Sequence, residues 1–234
     1  MIPISDENPT TRLVPFVTWG LIAACVAVFF WQLTFDEQDS QALIYTLGFV
    51  PKGLFASTTP AVAFGISWAW VTIFTSMFMH GGFLHVGGNM LYLWIFGNNV
   101  EDAMGHTRYL FFYLICGVAA ALSEGIINPE STVPLIGASG AISGVLAAYV
   151  LIFPRTRVTV IIPLGILLYP TKISAFYVVG FWFLLQVLNA FLTSPGAPGT
   201  AWMAHVGGFA LGLVLTPFLS QFPLFGRYKR GPWG

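Results

Sequence analysis

The sequence predicts an all-α polytopic membrane protein, a single domain over 1–234 built as a bundle of six transmembrane helices. Three observations predict it. Only 8% of the residues are charged, too few to cover the surface of a water-soluble domain. Mean hydropathy is +0.80, high enough that most of the surface must face lipid. Apolar runs of about 20 residues recur along the chain, and at 1.5 Å rise per residue each matches a hydrocarbon core of about 30 Å.

The first run, 13–34, follows Asp6, Glu7 and Arg12, a poor positive flank for a secretory leader. "IAAC" at 22–25 resembles a lipoprotein cleavage box, yet the chain stays apolar beyond Cys25, so a retained first span is expected. Further spans are expected at 83–100, 109–127, 138–153, 173–194 and 202–222. The apolar stretch 157–170 is broken by Pro163, Gly165 and Pro170 and reads as a connecting loop near the surface. Cys25 and Cys116 both lie in apolar runs, which argues against a disulfide framework or a thiolate zinc site.

Charge sets the orientation. With both termini inside, the inner segments hold Arg12, Arg108, Arg155, Arg157, Lys172, Arg227, Lys229 and Arg230, and the outer loops hold only Lys52. That asymmetry places the short tails 1–12 and 223–234 in the cytoplasm. The basic tail "RYKRGPWG" then reads as an anchor for acidic headgroups. A multi-pass protein of the plasma or inner membrane is expected. The long segment 35–82 becomes an outer loop, with Trp68 and Trp70 at headgroup level.

The second, fourth and sixth spans then all begin at the outer face. His85 and Asn89 start the second, Ser139 the fourth and His205 the sixth. Each has an ordinary reading alone: serine as a small packing residue, His85 and Asn89 as glue between helices. Their coincidence at one depth on three parallel helices points instead to a shared site. A serine hydroxyl needs a base, and His205 can supply it. A tetrahedral oxyanion needs donors, and the Asn89 amide, the His85 imidazole and the Ser139 backbone N–H are available beside a helix N-terminus. No Asp or Glu is read deep in the spans at this depth, so a Ser–His dyad is expected. Gly140, Gly144 and Ala148 form one small-residue stripe, and Ala204, Gly208 and Gly212 another; facing each other, they would bring Ser139 and His205 together.

Rival chemistries lack their residues. Position 141 is Ala, so the G-x-S-x-G elbow is not met; H-E-x-x-H and paired intramembrane aspartates are absent. His80 and His85 have no third ligand nearby, so no metal and no cofactor are expected. His106, beside Arg108, lies on the inner side. Glu101 and Asp102, also there, are expected to face water or to cap basic neighbours. Zero net charge gives no basic face for nucleic acid. No matched broken halves mark a transporter.

"HGGFLHVGGNMLYLWIFGNNVED" (80–102), "GASG" (137–140) and "AHVGGFALG" (204–212) closely resemble the three signature segments of the rhomboid intramembrane serine proteases. The resemblance covers roughly 45–220. It implies the six-helix rhomboid core, Ser139 as nucleophile, His205 as general base, and His85 with Asn89 as the oxyanion pair. Gly137 and Gly140 belong to the matching glycine–serine motif and Gly208 to the third segment, while His80 matches a structural histidine. Substrates would be membrane proteins cut in or near a transmembrane segment, towards the outer face. A non-catalytic relative that binds transmembrane helices is the alternative, as is, more remotely, a channel. The loop "SPGAPGT" at 194–200 and the fifth span would control access as a lid. Two departures stand out: "WVT" at 70–72 lacks the arginine many members carry there, and Ser143 stands where many have an aromatic against the histidine ring.

Overall fold

The computed structural model describes residues 1–7, 12–55, 62–63, 66–165, 167–193, 199–222 and 224–225. Strand β1 (Ile2–Asp6) leads into helix α1 (Phe16–Gln32). The segment after α1 folds as α2 (Glu37–Leu47), α3 (Pro51–Phe55), a two-residue ladder of β2 (Val62–Ala63) and β3 (Ile66–Ser67), and α4 (Trp68–Thr75). A long helical stretch follows: α5 (Phe83–Tyr92), a π-turn at Leu93–Gly97, and α6 (Asn98–Met104). Then come α7 (His106–Ile127), α8 (Ser139–Ile152), strands β4 (Arg157–Leu164) and β5 (Leu167–Ser174), α9 (Ala175–Leu192) and α10 (Trp202–Leu219).

The chain is mostly helical, and all six expected segments are helical over most of their length. Among the described residues, three helices, α7, α9 and α10, are long and apolar enough to cross a membrane; α1 and α8 are shorter apolar helices. The core lies where α8 packs between α7 and α10. Residues Gly140 to Tyr149 of α8 are all buried, so this 14-residue helix is central and enclosed by protein.

The expectation of a purely helical fold needs correction. The stretch 157–170, expected as a plain loop, is a β-hairpin, and β1 adds to it, giving an antiparallel sheet in the order β1-β4-β5. "RVTVIIPL" is rich in β-branched residues, which suit a pleated, half-buried surface. Val158 and Val160 point into the core. Pro163 lies beyond the reach of β1, and Pro170 sits on the edge strand β5, so neither breaks a central ladder.

Of the two expectations for Glu101 and Asp102, exposure to water fails and contact with basic neighbours holds: both are buried, Asp102 beside Arg12 and Glu101 against His106. Glu101 is fully buried and caps the start of α1, which has no capping side chain of its own. Its carboxylate accepts from Val17 N at 2.9 Å, Thr18 N at 2.8 Å and Thr18 Oγ1 at 2.7 Å, and lies 2.6 Å from His106 Nδ1. A carboxylate there satisfies orphan amides and complements the helix dipole. Asp102 accepts from Leu13 N at 2.9 Å beside the Arg12 guanidinium.

The segment between α1 and α5 is held without the missing arginine. The Trp68 indole N–H donates to the Thr46 carbonyl at 2.7 Å, and Thr75 Oγ1 donates to Leu47 O at 2.6 Å. Trp70 is exposed. Phe49 is buried against Ile73, Met77 and Ala121, and its backbone pairs with Leu135.

Candidate active site

Ser139 is the first residue of α8 and His205 lies in the first turn of α10. The two small-residue stripes do face each other. A Cβ on Gly208 would fall on the Gly140 carbonyl oxygen, and one on Gly212 would stand 2.7 Å from Gly144 Cα. This close approach brings His205 Nε2 to 2.7 Å from Ser139 Oγ. Helix α7 takes part as well: Gly140 and Gly144 are hemmed in by its Ala120 and Cys116.

His85 and Asn89 sit on α5 and line the same cavity, of about 810 Å³, as Ser139 and His205. His85 Nδ1 accepts from the Gly81 backbone N–H at 3.3 Å, which leaves Nε2 as the protonated, donating nitrogen. Asn89 Nδ2 is buried with no hydrogen-bond partner among the described residues. Both donors converge on Gly137, where a Cβ would stand 2.7 Å from His85 Nε2 and 3.6 Å from Asn89 Nδ2. Gly137 also has φ +123°, which L side chains rarely adopt, so only glycine fits two residues before the serine. His80 holds the entrance to α5. Its backbone N–H and carbonyl are clamped by the Gln32 amide at 3.0 and 3.1 Å, and its ring meets His85 edge-on at 5.1 Å.

The second departure in the sequence has its structural answer at the histidine. Ser143 Oγ donates to the Ser139 carbonyl at 2.7 Å and offers no ring. The His205 ring instead meets Trp182 of α9 at 5.8 Å and Trp202 at 6.3 Å between centroids. Gln186, also on α9, lies with Oε1 2.8 Å from His205 Nδ1. None of these three was singled out by the sequence, although Gln186 is conspicuous as a polar residue inside "FWFLLQVL".

The cavity is also lined by Asn128 and by Glu124, near the C-terminus of α7, so an acid borders the cavity although none was read beside the dyad. Of the proposed lid, 194–198 lies outside the described residues, and its flanks Thr193, Gly199 and Thr200 line the cavity. Among the described residues, no three His, Cys, Asp or Glu side chains group as a metal site. A hydroxyl against an imidazole, facing two convergent donors at the N-terminus of a helix, is an arrangement able to carry out acyl transfer.

Comparison with known proteins gives the same direction. The model of the Rhomboid domain matches residues 67–222. Rhomboid-like protein 11, chloroplastic, of Arabidopsis thaliana is 30% identical over 66% of this chain and 54% of its own length. Rhomboid protease AarA of Providencia stuartii is 24% identical over 86% of this chain and 71% of its own. Inactive rhomboid protein 1 of Drosophila melanogaster is 25% identical over 68% of this chain and 10% of its own. The chain thus spans about half the length of the plant relative. These relatives and the apolar helices place the protein in a membrane, and a chloroplastic relative means that the family does not single out the plasma or inner membrane.

Proposed function

Since the chain belongs to the rhomboid family, we propose that it is an intramembrane serine endopeptidase cutting transmembrane segments of membrane proteins towards the outer face. The observation that carries this reading is the 2.7 Å contact of His205 Nε2 with Ser139 Oγ inside a cavity lined by the Asn89 and His85 donors. We read residues 1–234 as one rhomboid unit of six spans, α5 to α6 counting as one, with both termini cytoplasmic as the positive-inside asymmetry directs.

A substrate segment unwinds locally, because a helical carbonyl is shielded by its own hydrogen bond. Ser139 Oγ attacks the scissile carbonyl carbon while His205 Nε2 takes its proton. The oxyanion receives hydrogen bonds from Asn89 Nδ2, His85 Nε2–H and the Ser139 backbone N–H, and the positive end of α8 favours its charge. His205 then gives the proton to the leaving amine, and the acyl-enzyme forms as the C–N bond breaks. Water, deprotonated by His205, hydrolyses the ester and frees Ser139.

The second reading, a binder of transmembrane helices without cleavage, is favoured by the inactive relative. Cleavage of a single-span substrate in proteoliposomes separates the two. The protease reading expects cleavage by the parent and loss of at least ~10³-fold in folded Ser139→Ala and His205→Ala. Cleavage persisting in Ser139→Ala would refute the assignment of the nucleophile.

A further inference from the structure

We infer that Gln186 sets the protonation pattern of His205, making the site a Ser–His–Gln relay with a neutral third member. The inference rests on the reading of Ser139 and His205 as a dyad, and it concerns what makes the imidazole a base at the correct nitrogen.

The amide of Gln186 can point only one way. Its Nε2 donates to the Trp182 carbonyl at 3.0 Å, one turn back along α9. The reversed amide would set an oxygen against that carbonyl oxygen, two acceptors facing each other. Oε1 is therefore the atom 2.8 Å from His205 Nδ1, and an amide oxygen only accepts. Nδ1 must carry the ring proton. The lone pair is then on Nε2, which faces Ser139 Oγ at 2.7 Å, so the hydroxyl donates to the ring. Any other tautomer would leave two acceptors in contact at Nδ1 and a protonated Nε2 facing the nucleophile.

The same geometry explains why an amide stands where soluble serine hydrolases place a carboxylate. Gln186 is 6% exposed on a helix of the apolar bundle. A lone carboxylate there would bear a large desolvation cost, whereas the amide supplies the same acceptor without charge. Trp182 contributes twice, through its carbonyl to Gln186 and its ring to His205. Gln186 touches no substrate atom; it is a positioning residue.

The test reads the tautomer directly. The protein is labelled with ¹⁵N in its histidine rings, and the His205 signals are assigned by their loss in His205→Gln. The parent is expected to show a protonated Nδ1 and an unprotonated Nε2. Gln186→Leu, similar in volume but with no acceptor, should populate the Nε2–H form. Fluorophosphonate labelling of Ser139 should slow roughly 10- to 100-fold in Gln186→Leu, less than the ~10⁴-fold seen when a catalytic histidine is locked in the wrong tautomer. Gln186→Glu, which keeps the acceptor, should restore labelling to within about tenfold of the parent. A parent whose His205 carries its proton on Nε2 overturns the inference, even if Gln186→Leu fails to fold. So does equal labelling by the parent and a folded Gln186→Leu. If Ser139 of the folded parent does not label at all, the dyad reading itself fails, while the ring tautomer remains readable on its own.

Discussion

Gly208 of α10 rests on the backbone carbonyl of Gly140 in α8, one residue after Ser139 and three after His205 in their respective helices. No side chain separates the helices there, and the dyad geometry depends on that absence. Gly208→Ala should force α10 away from α8, since interhelical space for one methyl is lacking. The expected cost is about 1–3 kcal/mol of stability, together with slower labelling of Ser139. Thermal unfolding in detergent and fluorophosphonate kinetics check both. A destabilised variant that labels at the parent rate would show that this contact holds the bundle without setting the dyad.

Asn89 Nδ2 is a buried donor with no hydrogen-bond partner among the described residues, and the proposed mechanism assigns it to the oxyanion. Asn89→Ala should lower kcat by about 10²–10³-fold, with KM changed little, because the bond is made only as charge develops. A rise in KM at constant kcat would instead assign Asn89 to ground-state binding.

Glu101 caps α1 from within the protein, across more than 80 residues of sequence. Glu101→Ala leaves two backbone amides and the Thr18 hydroxyl unpaired and should cost about 3 kcal/mol or more. Glu101→Gln keeps one acceptor and should cost less. Both should retain Ser139 labelling at temperatures where they stay folded, since Glu101 lies away from the cavity lining. Selective loss of labelling in a stable Glu101→Gln would contradict a purely structural role.

Asp6 pins β1 to the bundle by accepting from Tyr149 Oη at 2.6 Å and Asn99 Nδ2 at 2.9 Å. Burial raises its carboxyl above the ordinary 3.8, with the Tyr149 and Asn99 hydrogen bonds opposing in part. The folded state then holds its proton more tightly than the unfolded chain. Stability of the docked strand should fall as pH rises from about 3.8 through the folded value, and level off above it. Amide exchange of β1, corrected for intrinsic rates, should show this slope in the parent and lose it in Asp6→Asn. The opposite slope would mean that the hydrogen bonds outweigh desolvation.

The sequence made the centre of the site legible for a simple reason. Spans and charge asymmetry predict depth and assign Ser139, His205, His85 and Asn89 to one level, and the four residues line one cavity. The glycine stripes added which faces meet. Gln186 and Trp182 stayed hidden because α9 is apolar around most of its circumference, so no stripe announces which side faces α10. The β-sheet was masked by Pro163, Gly165 and Pro170, which read as breaks although two lie within paired strands. The burial of Glu101 was illegible because its partners, the first amides of α1, are distant in sequence and carry no side-chain signal.

The central claim is that Ser139 is a nucleophile activated by His205. The most direct test is mass-spectrometric mapping of a fluorophosphonate adduct on the folded protein in lipid. The account predicts a single adduct, on Ser139, in the parent, and a loss of at least ~10³-fold in labelling rate in folded His205→Ala. An unlabelled Ser139 in the folded parent, or labelling that survives in His205→Ala, would contradict it.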